Sequence, residues 1–363
     1  MLNVMQKYKI AILKNEDPFD HEPWIKACER HPNRISYQVI EIINQDWLAQ
    51  VRSLSPQLCL LKPSGRTELY RALYQERVDI IVNDLGIEVF PSFDELRIYE
   101  NKKFFAYWAQ ANAIPHPQTW VFYSRKEADE YAVNAVLPLV AKKNIGASGK
   151  GVKIIRTTAE LLSYIHSAFN EGIVSQTGPR LEKGKLLSRL LQKLTHPREL
   201  ANRLHAYKTV AADRQKGYLI LQEFVPHDFE WRVVRIGDSL FAHKKLKTGD
   251  KASGTLLKDY GNPPLKLLDF VYDHTGRFSF HSVAVDLFEC GNSYLVNEIQ
   301  CIFGQSDAYQ MLVDGRIGRY TRINEAWVFE EGDFAANACY NLRLDWALSQ
   351  LDKADKIPDV KLN

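Results

Sequence analysis

Short apolar runs and helically spaced apolar positions alternate through the first ninety residues. The runs at 8–13, 37–42, 58–61 and 80–82 predict strands, and the spacing at 23–30 and 72–77 predicts helices between them. That alternation predicts a small α/β unit around a largely parallel sheet. Pro91 and Ser92 then punctuate the chain. Ser92 and Glu95 have the spacing of a capping box, which predicts a helix running through Lys102 and Trp108. It must end near Ala113, because Pro115 and Pro117 cannot continue it. Strands are predicted at 119–123, 139–142 and 151–156, with a glycine-rich turn between the last two. Thr157 and Glu160 cap a further helix whose apolar stripe is Leu161, Leu162, Ile165 and Phe169. Strand patterning returns at 218–225, 231–236, 240–246, 278–288 and 294–302. Beyond Gly304 aromatic and charged residues mix, and the polar tail from Asp352 predicts a frayed end.

A chain of 363 residues predicts two or three compact units. The punctuation divides it into an α/β domain at 1–91, a larger unit at 92–305 and a C-terminal extension at 306–363. The larger unit divides again into 118–217 and 218–305. The longest apolar runs are too short to span a bilayer, and the first ten residues lack the pattern of a secretory signal. Five widely spaced cysteines without a C-x-x-C pair fit free thiols in a reducing cytoplasm, and neither a zinc site nor a disulfide framework. With 47 basic and 44 acidic residues the formal charge is +3, so no global pull toward nucleic acid or membrane is expected. Basic residues do concentrate at 175–216, either as the solvated face of a helical insertion or as a wall attracting an anionic substrate.

Three groups of residues carry chemistry. Lys142 ends a predicted strand and is followed by Gly146, Ser148, Gly149 and Gly151. Glycines there let backbone amides converge on an anion beside a fixed positive charge, although a surface hairpin also uses them. Asp286 and Glu298 sit in two apolar strands joined by a turn, and alternation puts Gln300 on the same face as Glu298. An odd-numbered loop would bring Asp286 to that face and into one cavity with them. Buried carboxylates either bind a metal, here Mg²⁺, or pair with a cation such as Arg232. Finally, a two-residue turn at Gly237-Asp238 sets Arg232 opposite His243 and Glu230 opposite Lys245.

Taken in order, these pieces resemble the ATP-grasp superfamily. Asn101-Lys102 followed by Ala113–Thr119 resembles its N-K helix and G-I-P-x-P-x-T continuation, and Pro138–Lys142 with Gly146–Val152 resembles its P-x-V-x-K-P strand and small-residue lid. Gln222-Glu223-Phe224-Val225 resembles the adenine-side hinge, and Asp286 with Glu298-Ile299-Gln300 resembles the metal-binding strands. The branches most similar are the ribosomal-protein glutamate ligases and the polysaccharide-associated ATP-grasp proteins, through Lys251–Thr255 and Glu298–Gly304. The chain departs from the pattern with Lys143 for proline, Ala147 for serine, Gln300 for asparagine and Lys251 for arginine.

The resemblance implies an ATP-grasp fold of α/β (α+β) class, with a Rossmann-like domain first and 118–217 as a small lid subdomain. It implies that Lys102 and Lys142 reach the nucleotide phosphates under the loop of Gly146, Ser148, Gly149 and Gly151. Gln222, Glu223, Phe224 and Val225 would border the adenine, Glu230 the ribose, and Asp286, Glu298 and Gln300 would hold one or two Mg²⁺ ions, replaceable by Mn²⁺. Arg232, Lys245, Lys247 and Lys251 would steady a transferred phosphoryl group. The expected activity is ATP-dependent joining of a carboxylate to an amine through an acyl phosphate. A kinase or a non-catalytic ATP-binding protein on the same scaffold are the alternatives. Small-molecule, peptide or sugar substrates of anionic character are expected, and a homodimer is left open.

Overall fold

The computed structural model describes residues 8–146, 151–174, 212–248, 251–252 and 257–355. Ser148, Gly149 and nearly all of the basic stretch at 175–216 therefore lie outside the described residues. Four parallel strands, β1 (Tyr8–Lys14), β2 (Ile35–Glu41), β3 (Leu58–Leu61) and β4 (Glu88–Phe90), pair in the order β2-β1-β3-β4. Helices α1 (Glu22–Cys28), α2 (Trp47–Leu54) and α3 (Glu68–Asn83) cover the two faces, so β3 reads as an unbroken apolar run. Residues 80–82, expected as a strand, belong to α3. Tyr74, Val78 and Ile81 are spaced four and three apart, a helical stripe, and all three are buried.

The single helix expected after Ser92 is two, α4 (Phe93–Ile98) and α5 (Lys102–Ala111). The chain breaks at Glu100, whose φ of 46° is left-handed. That break turns the Glu100 carboxylate inward and starts α5 on Lys102. The capping box is present. The Glu95 carboxylate accepts from the Ser92 amide at 2.6 Å and, through its other oxygen, from the Ser282 amide at 2.6 Å. Glu95→Ala should destabilise the protein by about 2–4 kcal/mol, the loss of a cap plus a buried amide left unpaired. Urea unfolding would measure it, and a loss below about 1 kcal/mol would mean that water replaces the carboxylate.

Strands β5 (Thr119–Phe122), β6 (Leu139–Lys142) and β7 (Val152–Ile155) follow, with helices α6 (Arg125–Val133) and α7 (Thr158–Asn170). The short strands β8 (Ile173–Val174) and β9 (Arg214–Gln215) pair with each other before β10 (Leu219–Glu223). The antiparallel sheet β5-β10-β6-β7 packs one face on α6 and α7. The stripe of α7 is Leu161, Tyr164, Ile165 and Ala168, while Leu162 is exposed.

The largest sheet contains β11 (Phe229–Ile236), β12 (Ser239–Thr248), β13 (Lys251–Ala252) and β14 (Lys258–Asp259). After helix α8 (Leu265–Gly276) it adds β15 (Ser282–Cys290), β16 (Ser293–Gln300), β17 (Leu312–Val313), β18 (Arg316–Ile323) and β19 (Ala326–Glu331). Helices α5 and α8 pack on it through Phe105, Ala109, Leu267, Leu268 and Val271. The final helix, α9 (Tyr340–Ala354), returns to the first sheet, where Tyr340, Leu344 and Leu348 share a core with Trp24. Among the described residues no helix is long and apolar enough to cross a membrane.

Candidate active site

The register of the large sheet builds a charged row on one face. Glu298, Asp286, Arg232 and His243 are directly paired across β16, β15, β11 and β12. Glu230, Lys245 and Lys258 form the adjoining row across β11, β12 and β14. The turn at Gly237-Asp238 is the two-residue turn expected, so Arg232 does face His243 and Glu230 does face Lys245. The β15–β16 connection is not the odd-numbered loop expected. Cys290 pairs with Ser293, leaving a two-residue turn that by itself would set Asp286 opposite Asn297. A bulge corrects the phase: Leu287 pairs with Val296 but Asp286 pairs with Glu298, and Asn297 is the inserted residue.

Asp286 is 2% exposed and fully engaged. Arg232 grips it through two bonds of 2.7 and 2.8 Å, and Lys245 Nζ lies 2.8 Å away while also holding Glu230 at 2.5 Å. Burial pushes the Asp286 carboxyl up, but the charges of Arg232 and Lys245 prevail and hold it well below the usual carboxylate range. His243 Nδ1 donates to Gln310 O over 2.8 Å, and burial with the nearby Arg232 charge lowers its imidazole to about 3, so it stays neutral.

Opposite this row, the end of β6 delivers Lys142 and the first turn of α5 delivers Lys102. Lys142 Nζ donates to Asn297 Oδ1 at 2.8 Å, and Asn297 Nδ2 donates to Glu230 at 3.2 Å. Burial lowers the Lys142 ammonium to about 8, against the pull of Glu298. Lys102 Nζ lies 3.1 Å from Glu298 Oε1, 3.0 Å from Gly146 O and 3.7 Å from Glu100 Oε2. Glu100 also accepts from the Gly146 amide at 3.1 Å and from Gln300 Nε2 at 3.3 Å. Burial raises its carboxyl pKa; Lys102 opposes that rise and Glu298 adds to it.

Between the two groups lies a narrow, open cleft. Ile98, Phe105, Ala106, Ile220 and Ile299 give it apolar walls, and Asn101, Thr119, Lys102, Lys142, Gln222, Asn297 and Glu298 give it polar ones. Gln222 is held by Thr119 Oγ1 at 3.0 Å, and the Glu223 amide donates to Gln118 O at 2.9 Å. Phe224 lies under Lys247 Nζ at 5.9 Å, and Val225 O binds His227 Nδ1 at 2.7 Å. Lys247 otherwise reaches only His227 O at 3.4 Å, and Lys251 stands in β13 beside Thr248. At Gly151 a Cβ would meet Lys143 Cβ at 2.8 Å, so the loop needs glycine there. Lys143, where proline resembles the family pattern better, binds Asp213 Oδ2 at 2.8 Å and clamps the base of the loop.

Among the described residues no three His, Cys, Asp or Glu side chains converge as a preformed metal cage. The oxygens expected to hold Mg²⁺ are met by the chain's own donors: Asp286 by Arg232 and Lys245, Glu298 by Lys102, and Gln300 sits against Glu100. The donor set fits a hard cation at Glu298, which lines the cleft. It fits less well at Asp286, which is committed to two cations. Glu100, Asn101 and Asn297 lie in the segments that carry the resemblance, yet pattern reading gave them no role. A left-handed glutamate and an inserted strand residue leave no periodic trace.

No family model and no curated protein matches the chain. Solved structures do. A D-alanine–D-alanine ligase from Bacillus anthracis aligns over 96% of this chain and 99% of its own, at 13% identity and a TM-score of 0.53. A carboxyaminoimidazole ribonucleotide synthase from Aspergillus clavatus, complexed with ATP, aligns over 82% and 71%, at 12% identity and a TM-score of 0.51. The biotin carboxylase domain of the Hydrogenobacter thermophilus 2-oxoglutarate carboxylase, solved with MgADP, aligns over 82% and 65%, at 12% identity and a TM-score of 0.50. The chain has the ATP-grasp fold.

Proposed function

We propose that this chain is an ATP- and Mg²⁺-dependent ligase that joins a carboxylate to an amine. The observation that supports this most is the cleft itself. Apolar walls from both sheets lead to a polar end where Lys142 and Lys102 face Glu298 across β6, α5 and β16. In this reading 92–305 is the catalytic unit, 118–217 its lid and 1–91 a supporting domain. The purine lies against Ile220 and Ile299, bordered by Gln222, Glu223, Phe224 and Val225, and Glu230 lies toward the ribose. Lys102 and Lys142 would reach the phosphate oxygens, with the loop of Gly146, Ser148, Gly149 and Gly151 closing over them.

Mg²⁺ bound at Glu298 and Gln300, with Asp286 behind them, would neutralise charge on the phosphates. The chain's own residues do the rest. Arg232 spends Nε and Nη2 on Asp286, leaving Nη1 for an oxygen of the transferred phosphoryl group, while Lys245 fixes Asp286 and Glu230 in place. Lys247 would extend positive charge toward the acceptor, and Lys251, whose side chain lies outside the described residues, would add to it. Attack of the substrate carboxylate on the γ-phosphorus expels ADP and forms an acyl phosphate. The amine then displaces phosphate and loses a proton to solvent. Catalysis rests on positioning and charge neutralisation.

ADP release over pooled carboxylic acids, with and without pooled amines, tests this. The ligase requires both pools. Release with hydroxyl compounds and no amine dependence would mean a kinase, and nucleotide binding with no release under any condition would mean a non-catalytic binder.

A further inference from the structure

Lys102 is surrounded by oxygens. Its ammonium touches a carboxylate of β16, a carboxylate from the break between α4 and α5, and the Gly146 carbonyl, three oxygens of three different segments. Beside it Asn101 is 6% exposed, lines the same cleft, and has its Oδ1 buried without a hydrogen-bond partner. Its Nδ2 is spent on Arg97 O at 3.3 Å, so the amide is oriented with its oxygen free. A buried acceptor left unpaired in a native protein calls for a ligand or a water. Glu100 is a glutamate in a left-handed conformation, and its carboxylate is buried and turned toward the same place.

The cations and carboxylates around the cleft balance. Lys102, Lys142, Arg232 and Lys245 face Glu100, Glu230, Asp286 and Glu298. A polyphosphate entering this site draws Lys102 away from its carboxylates. Two carboxylates then remain close together without a cation between them, an arrangement that repels itself unless a second positive charge arrives. Asp286 does not share this fate, because Arg232 and Lys245 stay bound to it.

We propose that Glu100 is a divalent-cation ligand, that with Glu298 and Asn101 Oδ1 it forms a site which the Lys102 ammonium fills in the unliganded chain, and that nucleotide phosphates open this site by recruiting the lysine. The inference rests on reading the cleft as a nucleotide site. It assigns the cation to Glu100 and Glu298, where the resemblance alone places it at Asp286, Glu298 and Gln300. Nucleotide and cation thereby bind cooperatively, since each favours the same displacement of Lys102.

Mn²⁺ is the probe, followed by the loss of its free six-line paramagnetic resonance signal on titration with the full-length chain. Without nucleotide, Lys102→Met should bind Mn²⁺ at least about tenfold more tightly than wild type, because an ammonium within 4 Å of the carboxylates is gone. The double variant Lys102→Met/Glu100→Gln should lose that gain. Equal Mn²⁺ binding by wild type and Lys102→Met would overturn the proposal, and so would a double variant that keeps the gain. Lys102→Gln repeats the test with a neutral side chain that still bonds Gly146 O, and circular dichroism confirms that each variant is folded. These arms contain no nucleotide, so they stand even if the chain fails to bind ATP. A parallel titration of wild type with a non-hydrolysable ATP analogue separates the two failures: no analogue binding sinks the nucleotide reading, whereas analogue binding that leaves Mn²⁺ affinity unchanged sinks the displacement of Lys102.

Discussion

Asp286→Ala is expected to destabilise the protein by about 3–5 kcal/mol, because it strands two buried cations. Arg232 and Lys245 have side chains 13% and 6% exposed, so neither can recover full hydration in place. The loss is therefore the cost of uncompensated charge, not the net worth of the ion triad. Replacing Asp286 and Arg232 together with Leu and Met should restore much of it, since an apolar pair of similar volume avoids the desolvation penalty. Urea midpoints at pH 7 decide: a double variant as unstable as Asp286→Ala would mean that packing, not stranded charge, is responsible. The pH dependence has a fixed sign. The Asp286 carboxyl is held below its unfolded value of about 3.9. Its contribution is present above that value and fades as pH falls through the folded one. The gap between wild type and Asp286→Ala should therefore narrow below about pH 4.

The same triad marks what could be read from the chain and what could not. Arg232, His243, Glu230 and Lys245 were placed by a turn of two residues and strict alternation, both local signals, and the register follows them. Both capping boxes were legible for the same reason. Asp286 and Glu298 share a face through a bulge that no alternation announces, because the pattern on either side of Asn297 looks continuous. Residues 80–82 look like a strand in a short window and a helix in a long one. Tertiary packing of Val78 and Ile81 against the first sheet settles it. The C-terminal hairpin turns at Asn324 and Glu325, both at positive φ, where a glutamate gives no turn signal. Helix α9, most of which precedes the polar tail expected from Asp352, was not expected, because its apolar residues find their partners more than three hundred positions away, around Trp24.

Lys142→Ala should remove most of the thermal stabilisation that MgATP gives the wild type. Saturation at a hundredfold excess over Kd is worth about 2.7 kcal/mol, which for a chain of this size is a rise in Tm of about 2–4 °C. Lys142 holds its proton weakly for a lysine. Burial lowers it to about 8, and its bond to the neutral Asn297 amide does little to secure the charge. Its folded value lies below the unfolded value of about 10.4, so the penalty for carrying the charge is fully present below about pH 8. That penalty fades as pH rises toward the unfolded value, and this residue's contribution to unliganded stability rises over the same window. Phosphate oxygens beside Nζ reverse the balance, because an opposite charge favours the ammonium. Nucleotide binding between about pH 8 and 10 should therefore take up a proton, and affinity should fall as pH rises across that range. Calorimetry at pH 8.5 in two buffers of different ionisation enthalpy measures the uptake directly. Lys142→Met should abolish it and Lys142→Arg should hold the charge throughout. Proton uptake that persists undiminished in Lys142→Met would assign the titrating group elsewhere and remove Lys142 from the phosphate site.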